Sequence, residues 1–168
     1  MTSPVITDGG VATRLSDDLR YVAGDNIGGE DVGQGTMILD ALSPSYTNTS
    51  SKFLVEINDG GASTDRVTGW VSSSTDRFSG LSRDSGSAFD GDCDPEASFS
   101  DNAKHTCRVT WEVDNLVAYL DSSTDADVDC GMPDDLDRIN IGSTRAFIAQ
   151  SNSLLQNIRI YDEPTTLG

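Results

Sequence analysis

The side chains that could do chemistry in this chain are mainly carboxylates, and the group nearest to a catalytic pair is residues 92–96, which read Asp-Cys-Asp-Pro-Glu. Paired carboxylates can act as a general acid and a general base. Pro95 within the group, and Gly91 and Ser98 beside it, predict a loop rather than a strand that would hold two carboxylates at a fixed spacing. With only five glutamates in the chain, we expect no catalysis from this segment.

His105 is the only histidine, and histidine is the side chain whose pKa suits proton transfer near neutral pH. No Gly-x-Ser-x-Gly elbow precedes it, and it stands just before the start of a segment with strand character. We therefore predict a solvated or capping histidine, and we expect the protein not to be an enzyme.

Four aspartates alternate along one short segment and are the candidate metal ligands: Asp121, Asp125, Asp127 and Asp129. Oxygen ligands at such a spacing could converge on a hard cation such as Ca2+. The segment lacks the Asp-x-Asp-x-Asp-Gly pattern with a final glutamate, and aspartate is abundant throughout the chain. The alternative interpretation is a solvated acidic loop at residues 121–129, with no cofactor.

Three aromatic side chains are candidates for binding a sugar: Trp70, Tyr46 and Tyr161. Sugar rings stack on exposed aromatic rings, while Asp, Asn and Arg side chains bind the hydroxyls. The alternation around Trp111 assigns that residue to the core. A core position for Trp70 is the alternative to a binding role, and the pattern leaves both open.

The chain has three cysteines, an odd number, and their spacing does not match a metal-binding motif: Cys93, Cys107 and Cys130. Small buried apolar residues are one interpretation. A disulfide between Cys93 and Cys107 is the other, because the first is predicted in a loop and the second near the start of a strand. The sequence does not decide between them.

The net charge of −17 is the strongest compositional signal. Aspartate supplies 23 of the 28 acids, whereas lysine supplies only two of the 11 bases. Self-repulsion of this size destabilises a compact state, and salt screens it. We predict adaptation to high salt, with an ordinary acidic surface as the alternative. Because there is no basic patch to neutralise phosphates, we expect no nucleic-acid partner.

Alternation of apolar and polar residues predicts an all-β, antiparallel two-sheet β-sandwich. The predicted strands are residues 35–42, 52–57, 66–72, 77–82, 106–113, 116–120, 137–142 and 154–161, with residues 16–23 as loop or strand. In the segment 106–113, Cys107, Val109, Trp111 and Val113 form one face. The 168 residues suit one domain at 13–164, preceded by an extension or docking arm at 1–12 and followed by a tail at 165–168.

Two targeting signals are missing from the sequence. No run of 18 apolar residues predicts a membrane span, so we expect no membrane insertion. Residues 1–10 have neither a basic nor an apolar region of the kind that a secretory signal peptide needs. We expect a protein made in the cytoplasm that reaches its site by another route.

The segment 104–164 carries a family resemblance. Four motifs follow one another in this segment: Val-Thr-Trp at 109–111, Leu-Val-Ala-Tyr-Leu-Asp at 116–121, Leu-Asp-Arg-Ile-Asn-Ile-Gly at 136–142 and Leu-Gln-Asn-Ile-Arg-Ile-Tyr at 155–161. This order resembles the concanavalin A-like (laminin G-like) jelly rolls. The segment 12–17 and the strand opening at Gly35 are similar to the version of this domain in virion proteins of tailed viruses. Asp121-Ser122-Ser123 departs from the family's usual Asp-Gly turn.

The resemblance implies a non-catalytic virion structural protein, such as a head decoration, spike or tail-fibre subunit. Its implied partners are other virion proteins and further copies of itself in a homo-oligomer, with host-surface glycan as a second contact. Its implied location is the virion surface after synthesis in the host cytoplasm. Enzymes of this fold place paired Glu and Asp residues on one concave strand, which residues 92–96 do not reproduce. The alternative function is a cellular lectin-like carbohydrate-binding module.

Overall fold

The computed structural model describes residues 20–22, 33–42, 51–60, 65–84, 91–99, 103–133, 136–143 and 153–165. These residues form strands and no helix. The strands are β1 (Arg20–Val22), β2 (Gly35–Leu42), β3 (Lys52–Asn58), β4 (Arg66–Val71), β5 (Phe78–Arg83), β6 (Gly91–Cys93), β7 (Lys104–Glu112), β8 (Asn115–Leu120), β9 (Ser123–Val128), β10 (Arg138–Ile141) and β11 (Leu154–Tyr161). None of the described residues lies in a helix long and apolar enough to cross a membrane.

Two antiparallel sheets make up the fold. Sheet A has six strands in the order β1-β10-β3-β4-β5-β6, and sheet B has five in the order β11-β2-β7-β8-β9. Every pairing between neighbouring strands is antiparallel. The all-β, two-sheet antiparallel sandwich predicted from alternation is therefore confirmed.

The core lies between the two sheets and takes alternate residues from each strand. On β7, Cys107, Val109 and Trp111 are fully buried, as the alternation predicts. The two sheets approach closely at Gly80, which has no side chain. A Cβ at this position would lie only 3.1 Å from the Cβ of Ala118 in the opposite sheet. The core position predicted for Trp111 is confirmed.

The end of β7 corrects one residue of that pattern. Val113 was predicted on the core face, but its side chain is 75% exposed. The strand ends at Glu112, which pairs with Asn115 across a two-residue turn. Asp114, the second residue of this turn, has a φ of 59°, a conformation that aspartate tolerates better than most residues. The tight turn therefore takes Val113 out of the sheet.

Two segments predicted as loops contain strands. Residues 121–129 were predicted to be an acidic loop, yet Ser123–Val128 is β9 and pairs with β8 along its whole length. Within residues 92–96, Asp92 and Cys93 belong to β6, which pairs with β5. The aspartates of β9 alternate along a paired strand, so an acidic composition does not exclude strand structure.

The three cysteines are buried and carry free thiols. Cys93 Sγ donates a hydrogen bond to the carbonyl oxygen of Leu116 at 3.0 Å, whereas Cys107 lies opposite Leu120 in the register. Four residues of an extended strand separate these two positions, which is about 13 Å. The alternative of a Cys93–Cys107 disulfide is therefore wrong, and the buried apolar role fits.

The segment 1–12, the residues 166–168 and Tyr46 lie outside the described residues. The domain boundaries therefore remain a prediction.

Candidate functional site

The outer face of sheet A, which points away from the core, carries the most unusual group of polar side chains. On β4, Val67, Gly69 and Val71 point inward, because a Cβ at Gly69 would meet Phe78 and Val109 of the core. Thr68 and Trp70 therefore point outward.

A buried polar row crosses this face from β10 to β4. Asn140, Glu56 and Thr68 are consecutive partners in the register, and their side chains are at most 1% exposed. The carboxylate of Glu56 accepts a hydrogen bond from Asn58 Nδ2 at 2.9 Å and another from Asn140 Nδ2 at 3.4 Å. We name Glu56, Thr68 and Asn140 the polar row.

Several polar atoms here are buried without a hydrogen-bond partner among the residues that the structure describes: Thr68 Oγ1, Asn140 Oδ1 and Trp70 Nε1. An unsatisfied buried polar group costs about 1–3 kcal/mol, and nearly all such groups in proteins are bonded. These atoms are closed to solvent, so the contacts that this face offers to a molecule from solution come from the partly exposed side chains beside them.

An aromatic pair lies beside the polar row. Phe53 and Trp70 are opposite each other on β3 and β4, with ring centroids 5.8 Å apart and ring planes inclined by 24°. Both side chains are half-buried. The register shifts between Phe53 and Val55, and this bulge at Leu54 lets Phe53 face outward while Val55 remains in the core.

A serine turn borders the aromatic pair on the side away from the polar row. Residues 72–74 are three serines that follow β4, and Ser51 precedes β3. The hydroxyls of Ser72 and Ser74 are 2.9 Å apart, and the backbone N–H of Ser73 donates to Ser51 Oγ at 3.4 Å. Ser73 and Ser51 are half-buried and Ser74 is exposed, so this turn presents hydroxyls next to the rings.

The candidate sugar-binding residues do not form one site. Trp70 is on the outer face of sheet A, outside the core, so of its two interpretations the core position is wrong. Tyr161 is on the outer face of sheet B, in the same row as Thr36 of β2. Trp70 and Tyr161 thus lie on opposite faces of the sandwich, and Tyr46 lies outside the described residues.

The four candidate metal ligands are held apart by the strand that contains two of them. Asp125 Oδ2 accepts the backbone N–H of Asp94 at 2.9 Å, and Asp127 Oδ2 accepts that of Asp92 at 3.0 Å. Asp121 and Asp129 lie beyond the opposite ends of β9. Among the described residues, no three His, Cys, Asp or Glu side chains are grouped so that they could hold a metal ion.

Of the two roles expected for His105, the solvated one is wrong, because the residue is only 8% exposed. Its Nδ1 lies 2.8 Å from Asp121 Oδ2, and its ring is tilted against Phe99 with centroids 4.9 Å apart. The same carboxylate accepts the backbone N–H of Thr106 at 2.9 Å. Asp121 therefore closes the end of the β7–β8 hairpin and holds the imidazole at the edge of the core.

Neither sequence comparison finds a relative. No protein-family model matches the chain, and no curated protein matches it significantly.

Solved structures do match it, at low identity. The native heptameric SAP-like pentraxin from Limulus polyphemus matches 82% of this chain and 67% of its own, at 12% identity and a TM-score of 0.61. The carbohydrate-binding module CBM66 from Bacillus subtilis matches 77% of this chain and 76% of its own, at 12% identity and a TM-score of 0.54.

The sialidase of Trypanosoma rangeli, in complex with the inhibitor DANA, matches 80% of this chain at 11% identity and a TM-score of 0.60. The match spans only 21% of the sialidase, so most of that enzyme has no counterpart here. At these identities the likeness concerns the fold alone, and the fold of this chain is the concanavalin A-like jelly-roll sandwich.

Proposed function

We propose that this protein is a non-catalytic, lectin-like carbohydrate-binding module whose ligand stacks on the aromatic pair. The observation that carries the proposal is the half-buried Phe53–Trp70 pair on the outer face of sheet A. It lies between a turn of serine hydroxyls and a row of buried polar atoms. Aromatic rings for the apolar face of a sugar, with the hydroxyls of the serine turn beside them, are the groups that sugar recognition requires.

The fold supports the same proposal. CBM66 is by its name a carbohydrate-binding module, and it matches over about three quarters of both chains. The aromatic pair and the serine turn give this chain its own reason for the assignment, because the similarity in fold does not identify a site.

The chemistry of the polar row supports a role without catalysis. Glycosidases use two carboxylates about 5–9.5 Å apart. Asn58 lies two residues along β3 from Glu56. Its side chain is an amide that donates a hydrogen bond to Glu56, and not a second carboxylate. Asp92 occupies the same row as Glu56 but three strands away, which is about 14 Å. These positions hold one carboxylate where such a mechanism needs two.

The test is an array of neutral glycans, which the acidic-sugar site proposed below on sheet B does not prefer, probed with the wild-type protein, Trp70→Ala and Tyr161→Ala. We expect the wild type to bind, Trp70→Ala to lose the signal and Tyr161→Ala to keep it. Tyr161→Ala is the matched control because it removes an aromatic ring from the opposite face. A signal lost only with Tyr161→Ala would place the site on sheet B and contradict the proposal.

A virion surface subunit is the second candidate. It is favoured by the sequence resemblance to virion proteins and by the net charge of −17, which suits a halophilic host. Folding and oligomeric state followed together from about 0.1 M to 3 M salt would test it. A fold and a defined oligomer that form only at high salt support this candidate, whereas a stable monomer at low salt contradicts it.

A further inference from the structure

The outer face of sheet B carries a second group of side chains, in a row across all five strands. The row runs from Arg159 on β11 through Ile38, Arg108 and Tyr119 to Thr124 on β9. We name Arg108 and Arg159 the arginine row. This face lies on the far side of the sandwich from the aromatic pair.

Arg108 is fixed by its aromatic neighbour and lacks an acid partner. Its guanidinium carbon lies 3.4 Å from the centroid of the Tyr119 ring, which is the stacking that guanidinium groups favour. Its Nε is buried without a hydrogen-bond acceptor. Among the described residues Arg108 forms no ion pair. Because arginine stays charged at all accessible pH values, its unused donors are available to an anion.

Arg159 stands in the same row, two strands from Arg108, which is about 10 Å between backbones. It is exposed, and within the part of the chain that the structure describes it also forms no ion pair. Ile38 lies between the two arginines and is only 6% exposed although it faces outward. This low exposure is consistent with the apolar stems of the arginines lying over it.

Among the residues that the structure describes, the acid nearest to the row on this face is already engaged. Asp40, two residues from Ile38, accepts hydrogen bonds from Lys104 Nζ at 2.9 Å, Asn157 Nδ2 at 2.7 Å and Thr106 Oγ1 at 2.9 Å. The hydrogen bond from Lys104 is the main cause that lowers the pKa of Asp40, and the carboxylate has no oxygen left over. In a chain with 28 acids and 11 bases, two arginines without an acid partner are unexpected.

We propose that the arginine row binds the oxyanion of an acidic oligosaccharide, either a carboxylate or a sulfate. The planar fork of arginine matches both groups. Hydroxyls surround the row, from Thr124 within it and from Thr110 and Tyr161 in the next row, and these suit the neutral part of a sugar. A net charge of −17 repels densely charged polymers, so an isolated anionic group on a neutral chain is the better fit.

The proposal does not depend on the aromatic pair, since the two sites lie on opposite faces. Binding is measured by calorimetry in 0.15 M salt with three probes of equal length: maltotriose with one glucose replaced by glucuronate, singly sulfated maltotriose and unmodified maltotriose. We expect one or both acidic probes to bind more tightly than the neutral one, and the preference between them identifies the oxyanion.

Variants then assign the binding to the row. We expect Arg108→Gln and Arg159→Gln each to weaken the acidic probe about tenfold or more. Arg108→Lys keeps the positive charge but loses the planar guanidinium fork, so it should also weaken binding of the acidic probe. Arg77→Gln is the matched control. It removes the same charge from the residue before β5, where Arg77 forms an ion pair with Asp94, and it should leave binding of the acidic probe unchanged. Trp70→Ala should also leave binding of the acidic probe unchanged, which distinguishes this site from the proposed sugar site on the aromatic pair.

Several results would overturn the proposal. They are equal affinity for acidic and neutral probes, unchanged binding in Arg108→Gln and Arg159→Gln, and equal weakening by Arg77→Gln. A hexa-aspartate peptide that binds as tightly as the sugars would indicate a site for acidic protein instead. Thermal melts check that the variants fold. If Arg108→Gln does not fold, Arg159→Gln still tests the proposal, because Arg159 is exposed.

Discussion

Asp125 on the edge strand of sheet B accepts the backbone N–H of Asp94, beside the edge strand of sheet A, at 2.9 Å. Asp127 makes the same contact with Asp92 at 3.0 Å. These two carboxylates, which we name the edge clasp, point inward from β9 and join the two sheets along one side of the sandwich. Inward-pointing charges on an edge strand also oppose pairing with the edge of another chain.

The edge clasp should contribute to stability. We expect Asp125→Ala to lower the free energy of unfolding by about 1 kcal/mol, because it leaves the N–H of Asp94 without its acceptor. Urea denaturation measures the change. Asp162→Ala is the matched control, since it removes the same charge from an exposed position. If the two variants were equally stable, the hydrogen bond to Asp94 would contribute nothing.

Asp92 should behave in the opposite way. Burial, and then the negative charges of Asp94, Asp127 and Asp125, raise the pKa of this carboxyl above 3.8. The ionised group therefore destabilises the folded state at neutral pH, and we expect Asp92→Asn to raise the free energy of unfolding by about 0.5 kcal/mol. Thermal melts at low salt measure the gain.

The pH and salt dependence of this gain identifies its cause. It should disappear as the pH falls through the raised pKa of Asp92 towards 3.8, because protonation removes the same charge. It should also shrink in 1 M salt, where the repulsion is screened. A gain that is the same at all pH values would show that charge repulsion is not the reason.

The buried thiols should make the protein sensitive to alkali. Burial raises the pKa of Cys93 from 9.0 to about 12, so the folded state holds this proton more tightly than the unfolded chain. The contribution of this thiol to the free energy of unfolding should be constant below pH 9 and should fall between pH 9 and 12, as the unfolded thiol ionises. The slope is at most about 1.4 kcal/mol per pH unit, and less where water reaches the sulfur.

Cys93→Ser is the variant that tests this dependence. A serine hydroxyl can donate to the carbonyl of Leu116 as the thiol does but does not ionise in this range. We expect its stability to fall less steeply above pH 9 than that of the wild type, in urea titrations at each pH. Parallel curves for the two proteins would exclude the Cys93 thiol as the source.

The sequence predicts the strands better than it predicts what the acids do. The β7–β8 hairpin and β11 follow from alternation, because their inward residues are apolar. β9 does not, because its inward residues, Asp125 and Asp127, are charged and are satisfied by backbone N–H groups of the other sheet. Only the packing of the two sheets creates those partners, so residue type alone favours a loop.

The candidate site likewise depends on contacts between strands that residue type alone does not indicate. The sequence pattern leaves the direction of Trp70 open, and the contacts of Gly69 with the core fix it as outward. The role of Phe53 depends on the bulge at Leu54. Asn140 comes beside Glu56 across 84 residues of chain, through a pairing of β10 with β3 that no local pattern indicates. The polar row could not have been found without the strand order.

The most direct test of the proposed function uses the two tryptophans of the chain. Trp70 is half-buried in the aromatic pair, whereas Trp111 is 0% exposed in the core. Their indole N–H signals in a proton–nitrogen NMR spectrum, assigned with Trp70→Phe, are followed while the glycan selected on the array is added. The proposal predicts that the Trp70 signal shifts to saturation while that of Trp111 stays in place. Binding that leaves the Trp70 signal unmoved would contradict it.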